Sequence, residues 1–354
     1  MTSTESSVTP NEPTNAPAEW SGRRVVVTGA AGFTGRHLVA ALAAAGAEVC
    51  AVLRPGGSTA EFAAAPNGQA VRVVHVDLRD AAACNTLLQP GTDTLFHVAA
   101  VFRTVGVTLE SLRESHVTAT EHLLHAAKEA SVRRFVHVST IGVQGPNPPP
   151  NATEESAAAP ADDYQVTKYE GEQAALELGA RLELPTVAVR PCAIYGAGDD
   201  RFLKIIRPIS KGRFAMIGPG DGAFHMVHVD DLVRGIMLAG LAHDAPGQVI
   251  TLGGAEVPTL GELVALIGDL TAGGTLGVRV PYSAVYAAGY LCEKLCALIG
   301  VEPPLHRRRV KFFGSDRSFD LTRAKELLGY SPSVSLAEGV GGLVRWHRER
   351  GDIT

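Results

Sequence analysis

Short apolar runs alternate with longer helix-patterned runs through the first two thirds of the chain, and that alternation leaves few folds open. RRVVVTG, AEVCAVL, VRVVHVD, TDTLFHVAA, RRFVHVST and LPTVAVRP all read as strands, several of them apolar on consecutive positions. Consecutive apolar residues suit parallel strands covered on both faces, whereas a half-exposed strand would alternate. Thr34 to Ala45 and the longer stretches near 108–130 and 161–182 carry helical patterning and fill the crossovers. The expected fold is α/β, a Rossmann-type doubly wound parallel sheet. After residue 190 the alternation fades, and glycine and proline punctuate 191–223. A strand–helix pair near 226–240 and helices near 259–270 and 321–328 are expected there. The expected division is a disordered tail over 1–21, a dinucleotide-binding domain over 22–190, and a smaller, interleaved substrate-binding region over 191–354.

Charged residues make up 19% of the 354-residue chain and the net charge is -5, which argues against a dedicated nucleic-acid binder. The one basic cluster, HRRRVK at 306–311, reads as solvated surface. Cys50, Cys84, Cys192, Cys292 and Cys296 form no CxxC pair and no even framework, so a reducing cytoplasm is the expected setting. The polar first twenty residues lack the basic start and apolar core of a signal peptide. The sequon at Asn151 then carries no weight. No run reaches the roughly 18 uninterrupted apolar residues of a membrane span. The nearest, 282–300, is broken by Glu293 and Lys294 and reads as an amphipathic helix packed on its own core. A weak surface association with membrane, or a greasy substrate pocket, is the alternative.

TGAAGFTG lies between the first strand and the first helix, with Gly29, Gly32 and Gly35 spaced GxxGxxG. A strand–glycine turn–helix unit aims backbone N–H groups and the positive helix end at one spot, which attracts a pyrophosphate. An NAD site would end the second strand in an acid that binds the ribose hydroxyls. Here that strand ends Val52–Leu53–Arg54–Pro55, and Arg54 suits a 2′-phosphate instead. NADP is therefore the expected cofactor, with NAD the alternative.

Tyr164 and Lys168 are spaced i,i+4, which puts phenol and ammonium on one helix face. The ammonium favours phenolate, and such a tyrosine can give a proton to a carbonyl or take one from an alcohol. Upstream, the fifth strand ends in Ser139–Thr140, on the carboxyl side where ligand crevices of such sheets lie. A hydroxyl there can hydrogen-bond a reacting oxygen.

Together these segments resemble the extended short-chain dehydrogenases/reductases, over about residues 23–350. The marks are TGAAGFTG, VDL at 76–78, HVAA at 97–100, HVSTIGVQG at 137–145, YQVTK, RPCAIYG at 190–196, VHVDDL at 227–232 and FDLTRAKELLGYSP at 319–332. The resemblance implies a catalytic trio of Thr140, Tyr164 and Lys168, with Ser139 in reserve. It implies cofactor contacts at Gly29, Gly32, Phe33, Thr34, Gly35, Arg54, Asp77, Leu78, Ala99, Ala100, Lys168 and Pro191. Ser139, Phe102, Ile194 and Phe224 are expected along the substrate, and a homodimer built on paired long helices is implied. One departure stands out. Where related enzymes carry an asparagine that supports the lysine through water, this chain has His116, in HVTAT.

Two features bear on the reaction. Sugar 4,6-dehydratases of this type follow the hydroxyl with Asp–Glu, and here Ile141–Gly142 follow Thr140. Nucleotide-sugar enzymes place an arginine near the start of GAFHMVHVDDL, where this chain has Phe224. Both favour a small, partly apolar ketone or secondary alcohol, as in the hydroxysteroid dehydrogenase and dihydroflavonol reductase-like branch. The alternatives are a nucleotide-sugar epimerase with bound NAD, using Arg207, Lys211 and Arg213 for the diphosphate, and a non-catalytic NAD(P) sensor. No metal is expected: HMVHV reads as a strand, Asp230 or Asp231 as the cap of the next helix, and His122 and His125 have no nearby acid.

Overall fold

The computed structural model describes residues 19–59, 62, 71–102, 107–299, 301 and 314–353. Of the tail expected over 1–21, residues 1–18 lie outside the described residues, as does the cluster at 306–311. Trp20, by contrast, is ordered and fully buried against Phe96, because its large apolar ring belongs to the core. Strands β1 (Arg24–Thr28), β2 (Glu48–Leu53), β3 (Arg72–His75), β4 (Thr92–His97), β5 (Arg134–Val138) and β6 (Thr186–Pro191) match the six apolar runs. Then come β7 (Ala193–Tyr195), β8 (Phe214–Ile217), β9 (Met226–His228), β10 (Val249–Leu252) and β11 (Thr275–Val280). The central sheet has seven parallel strands in the order β10-β6-β5-β4-β1-β2-β3. The order reverses between β1 and β4, which opens the ligand crevice at their carboxyl ends.

Neighbouring valines of one strand serve opposite layers. Val25 and Val27 pack with Leu38 and Leu42 of the helix Phe33–Ala44 and with Leu232 and Ile236 of the helix Val229–Leu241. Val26 packs on the other side with Leu123 and Leu124 of Ala119–Glu129 and Leu178 of Asp163–Arg181. Both faces of the sheet are therefore dry, as its consecutive apolar residues require. A third cluster joins Ile206, Leu263 and Leu343 from the helices Leu203–Ser210, Leu260–Thr271 and Leu336–Glu349.

Four details differ from the sequence pattern. β10 adds a seventh sheet strand, too short to announce itself and paired with β6 far upstream. The single helix expected near 108–130 is Leu109–Arg113, a π-helical turn over Glu114–Thr118, and Ala119–Glu129. The helix after β9 is capped by His228, whose ring accepts from the Asp230 N–H. Asp231 is not its cap: buried, it accepts from the backbone N–H groups of Ser333 and Val334 and pairs with Arg234. The helix Tyr282–Ile299 packs on its own core less than expected: Tyr290, Leu291 and Leu295 are 47–59% exposed. Among the described residues no helix is long and apolar enough to cross a membrane.

Candidate active site

The glycine turn is built by close backbone approach. Gly29 sits at φ +68°, and the N–H of Gly32 donates to its carbonyl at 2.9 Å. A Cβ on Gly35 would lie 2.1 Å from that same carbonyl oxygen, so only glycine lets the helix lie on the turn. A Cβ on Gly29 would lie 2.6 Å from the Cα of Ala99, which brings the turn against the loop after β4. Gly32 caps the helix without a side chain, so Phe33 and Thr34 open it with backbone N–H groups facing outward. A turn that a Cβ on Gly29 or Gly35 would break, at the switch point of the sheet, fits a dinucleotide pyrophosphate.

Around the cradle, Arg54 is exposed just past β2, where the Gly57 N–H donates to its carbonyl in a tight turn. Asp77 is gripped by Arg79 through two hydrogen bonds of 2.9 and 2.7 Å, which hold its carboxyl below the usual range. The Leu78 carbonyl accepts from the Cys84 thiol. Pro191 ends β6 in register with Leu252.

Asp162 caps the helix Asp163–Arg181 by accepting from the Gln165 N–H. Tyr164 lies in its first turn, half-buried, and Lys168 one turn later, 2% exposed. The Lys168 ammonium donates to the carbonyl of Val138, the last residue of β5, at 2.7 Å. Burial pulls its pKa down to about 8, with Glu172 acting the other way. Two residues past Val138, the Thr140 hydroxyl accepts from the Gly142 N–H at 3.1 Å. Ser139 is buried, and its hydroxyl has no partner among the described residues. Phe102, 57% exposed, lies 5.1 Å from the Tyr164 ring.

Beneath this pair lies a polar web that the sequence pattern did not reveal beyond His116. His97 sits between Thr28 (2.8 Å) and Thr120 (3.0 Å), and His116 between the Val101 N–H (3.1 Å) and Thr167 (2.8 Å). Burial, then the charge of Lys168, pushes both rings down to about 3, so they are neutral at ordinary pH. His137 is also held neutral by burial, with neither ring nitrogen paired among the described residues. Behind Lys168, Glu172 and Arg190 form a buried bidentate pair at 2.6 and 2.9 Å. Only the i,i+4 spacing of His116 and Thr120, and Thr167 between Tyr164 and Lys168, hinted at this web.

The remaining candidates lie after β6. Ile194 packs on the sheet core, and the Phe224 ring lies tilted against that of Phe202, with centroids 6.5 Å apart. Arg207 is tied to Asp352, while Lys211 and Arg213 are exposed. Both nitrogens of His225 are engaged, by the Phe319 N–H and the Gly254 carbonyl.

A glycine cradle at the switch point, with a Tyr–Lys pair beyond it, defines a dinucleotide-dependent enzyme. Residues 25–253 match the NAD dependent epimerase/dehydratase family, and the chain belongs to it. It is an NAD(P)-dependent enzyme of the extended short-chain dehydrogenase/reductase type. It is 31% identical to 4-hydroxy-2-methyl-3-oxo-4-farnesyl-3,4-dihydroquinoline-1-oxide ketoreductase of Stigmatella aurantiaca, over 90% of this chain and 95% of that one. It is 30% identical to sterol demethylase protein B of Methylococcus capsulatus, over 93% and 99%. The structure of DesIV, the dTDP-glucose 4,6-dehydratase of Streptomyces venezuelae with NAD bound, superposes with a TM-score of 0.73 at 29% identity, covering 93% of this chain and 98% of that one.

Proposed function

We propose that the protein is an NADP-dependent oxidoreductase that interconverts a ketone and a secondary alcohol on a small, partly apolar molecule. The observation that carries this reading is the half-buried Tyr164 one helical turn from the buried Lys168, whose ammonium reaches the end of β5 beside Thr140. NADP(H), when bound, supplies or takes up the hydride. Tyr164 gives its phenolic proton to the carbonyl oxygen in reduction and takes the alcohol proton in oxidation. Lys168 carries charge below about pH 8 and so favours the phenolate one turn away. The Thr140 oxygen accepts from Gly142, which leaves its own proton to donate to the reacting oxygen.

The apolar character of the substrate rests on Phe102, exposed against Tyr164, and on Phe224 where a diphosphate-binding arginine is absent. The names of the two relatives, one a farnesylated quinoline ketoreductase and one a sterol demethylase protein, point the same way. Arg54 supports NADP over NAD. The five free cysteines suit a cytoplasmic setting, and the outer faces of Ala119–Glu129 and Asp163–Arg181 are the surfaces for a homodimer.

The test is NADPH consumption against a panel of 3-ketosteroids, prenylated quinolines, and UDP- and dTDP-sugars. Turnover of a steroid or prenylated ketone is expected. Conversion of a nucleotide sugar without net cofactor consumption would replace this reading with the epimerase.

A further inference from the structure

We propose that His116 is a positioning residue: a neutral imidazole, protonated on Nδ1, that ties the loop after β4 to the helix carrying Tyr164 and Lys168. The proposal rests on Tyr164 being the proton-transfer group. Its basis is a hydrogen-bond chain whose direction is fixed at both ends.

The Val101 backbone N–H can only donate, and it donates to His116 Nε2 at 3.1 Å. A ring nitrogen that accepts carries no proton, so the proton of the neutral ring is on Nδ1. Nδ1 lies 2.8 Å from Thr167 Oγ1, which accepts it and donates onward to the Asp163 carbonyl at 2.9 Å. Thr167 sits between Tyr164 and Lys168 on their own helix, and the His116 ring meets the Tyr164 ring edge-on at 5.5 Å. Adding a proton to His116 would turn Nε2 into a donor facing another donor. The ring is therefore unsuited to carrying protons and suited to holding geometry.

A second chain reaches the backbone of the same residue. The Ala99 N–H donates to Thr28 Oγ1 at 3.3 Å, and Thr28 donates to His97 Nδ1 at 2.8 Å. His97 Nε2–H then donates to Thr120 Oγ1 at 3.0 Å, and Thr120 donates to the His116 carbonyl at 2.7 Å. Both chains start in the loop that touches the glycine turn through Ala99, and they converge on His116. His116 lies in the π-helical turn, an irregularity that is frequent at functional sites. Where related enzymes use an asparagine and water beneath the lysine, these direct bonds set the register between cradle and phenol.

Nitrogen-15 NMR of the full chain at neutral pH reads the tautomer without any substrate. His116, assigned by its loss in His116→Asn, is expected to show a protonated Nδ1 and a bare Nε2. A proton on Nε2 overturns the proposal. The second arm is single-turnover hydride transfer on the best ketone of the panel. His116→Asn and Thr167→Val should each slow it by about 10–100-fold, the cost of a small misplacement. Each should change NADPH affinity by less than about threefold, and add less than about threefold to Tyr164→Phe, because groups acting through one another are not additive. Effects that multiply in the double variant would place His116 outside the tyrosine's action and sink the proposal. A normal rate for Tyr164→Phe itself sinks the tyrosine reading and, with it, the role of His116 in the reaction. The tautomer arm then still decides whether the ring ties loop to helix.

Discussion

A Cβ on Gly171 would lie 2.3 Å from the carbonyl oxygen of His116, so the Tyr–Lys helix and the π-helical turn meet backbone to backbone. No rotamer change can relieve a clash between a Cβ and a carbonyl. Helix propensity alone favours alanine here by about 0.5–1 kcal/mol. Overpacking a close contact costs about 1–3 kcal/mol, so the clash wins. Gly171→Ala should lower the urea midpoint and slow turnover together, because the carbonyl it displaces also holds Thr120. An unchanged midpoint would mean that the two backbones stand further apart.

Lys168 titrates at about 8, below the free lysine value of about 10.4. Between those values the unfolded chain binds more protons than the folded one, so stability rises with pH. Below about pH 8 the buried ammonium is at its most costly. Lys168→Met removes the term, so its gain in Tm over the wild type should be largest near neutral pH. That gain should shrink as pH rises through about 8 toward about 10.4. A gain that stays constant across this window would show an ordinary lysine.

Glu172 and Arg190 form the ion pair behind that lysine, at 0% and 5% side-chain exposure. Breaking a buried pair by removing one charge costs about 3–5 kcal/mol, since the partner stays buried. Glu172→Gln should show that loss in denaturant unfolding. It should also lower the Lys168 pKa further, because Glu172 is the group that raises it. Loss of stability without a shift in the lysine's pH dependence would separate the two roles.

Arg54 is exposed at the end of β2, in the position where an NAD enzyme would carry an acid. Arg54→Ala should weaken NADPH by roughly 10–100-fold, in line with about 1.5–3 kcal/mol for hydrogen bonds to charged groups, and leave NADH nearly unchanged. Fluorescence titration with both nucleotides at matched ionic strength measures it. Tighter NADH binding by the wild type would reverse the cofactor assignment.

What the sequence showed was whatever local pattern encodes. Val25, Val26 and Val27 announced a strand covered on both faces, Gly29, Gly32 and Gly35 a turn built for close backbone approach, and Tyr164 with Lys168 a shared helix face. β10 was not legible because its pairing with β6 joins distant segments. Asp231 looked like a cap because it opens an apolar helix, yet its partners Ser333 and Val334 lie about a hundred residues on. The His97 web was hidden for the same reason. Thr28, His97, Thr120 and Thr167 come from two strands and two helices, and no spacing in the chain relates these four to one another. Only the step from His116 to Thr120, and the place of Thr167 between Tyr164 and Lys168, hinted at it.

Ser139 and Thr140 are adjacent hydroxyls with opposite surroundings. The Ser139 hydroxyl is buried with no partner among the described residues, while Thr140 accepts the Gly142 N–H where the next turn begins. Removing a hydroxyl that makes no bond relieves a desolvation penalty of about 1–3 kcal/mol. Ser139→Ala should therefore leave stability unchanged or raised, with turnover within about threefold of the wild type. Thr140→Val keeps the shape but loses both the acceptor for Gly142 and the proton offered to the substrate oxygen, so turnover should fall. Thr140→Ser restores both and should recover most of the rate. Tyr164→Phe sets the scale, with an expected loss of about 10²–10⁴-fold for positioned acid–base catalysis and near-normal NADPH binding. Single-turnover hydride transfer across the four variants separates the hydroxyls. A slow Ser139→Ala beside a normal Thr140→Val would move the orienting role to Ser139, whose unpaired hydroxyl would then have found its partner in the substrate.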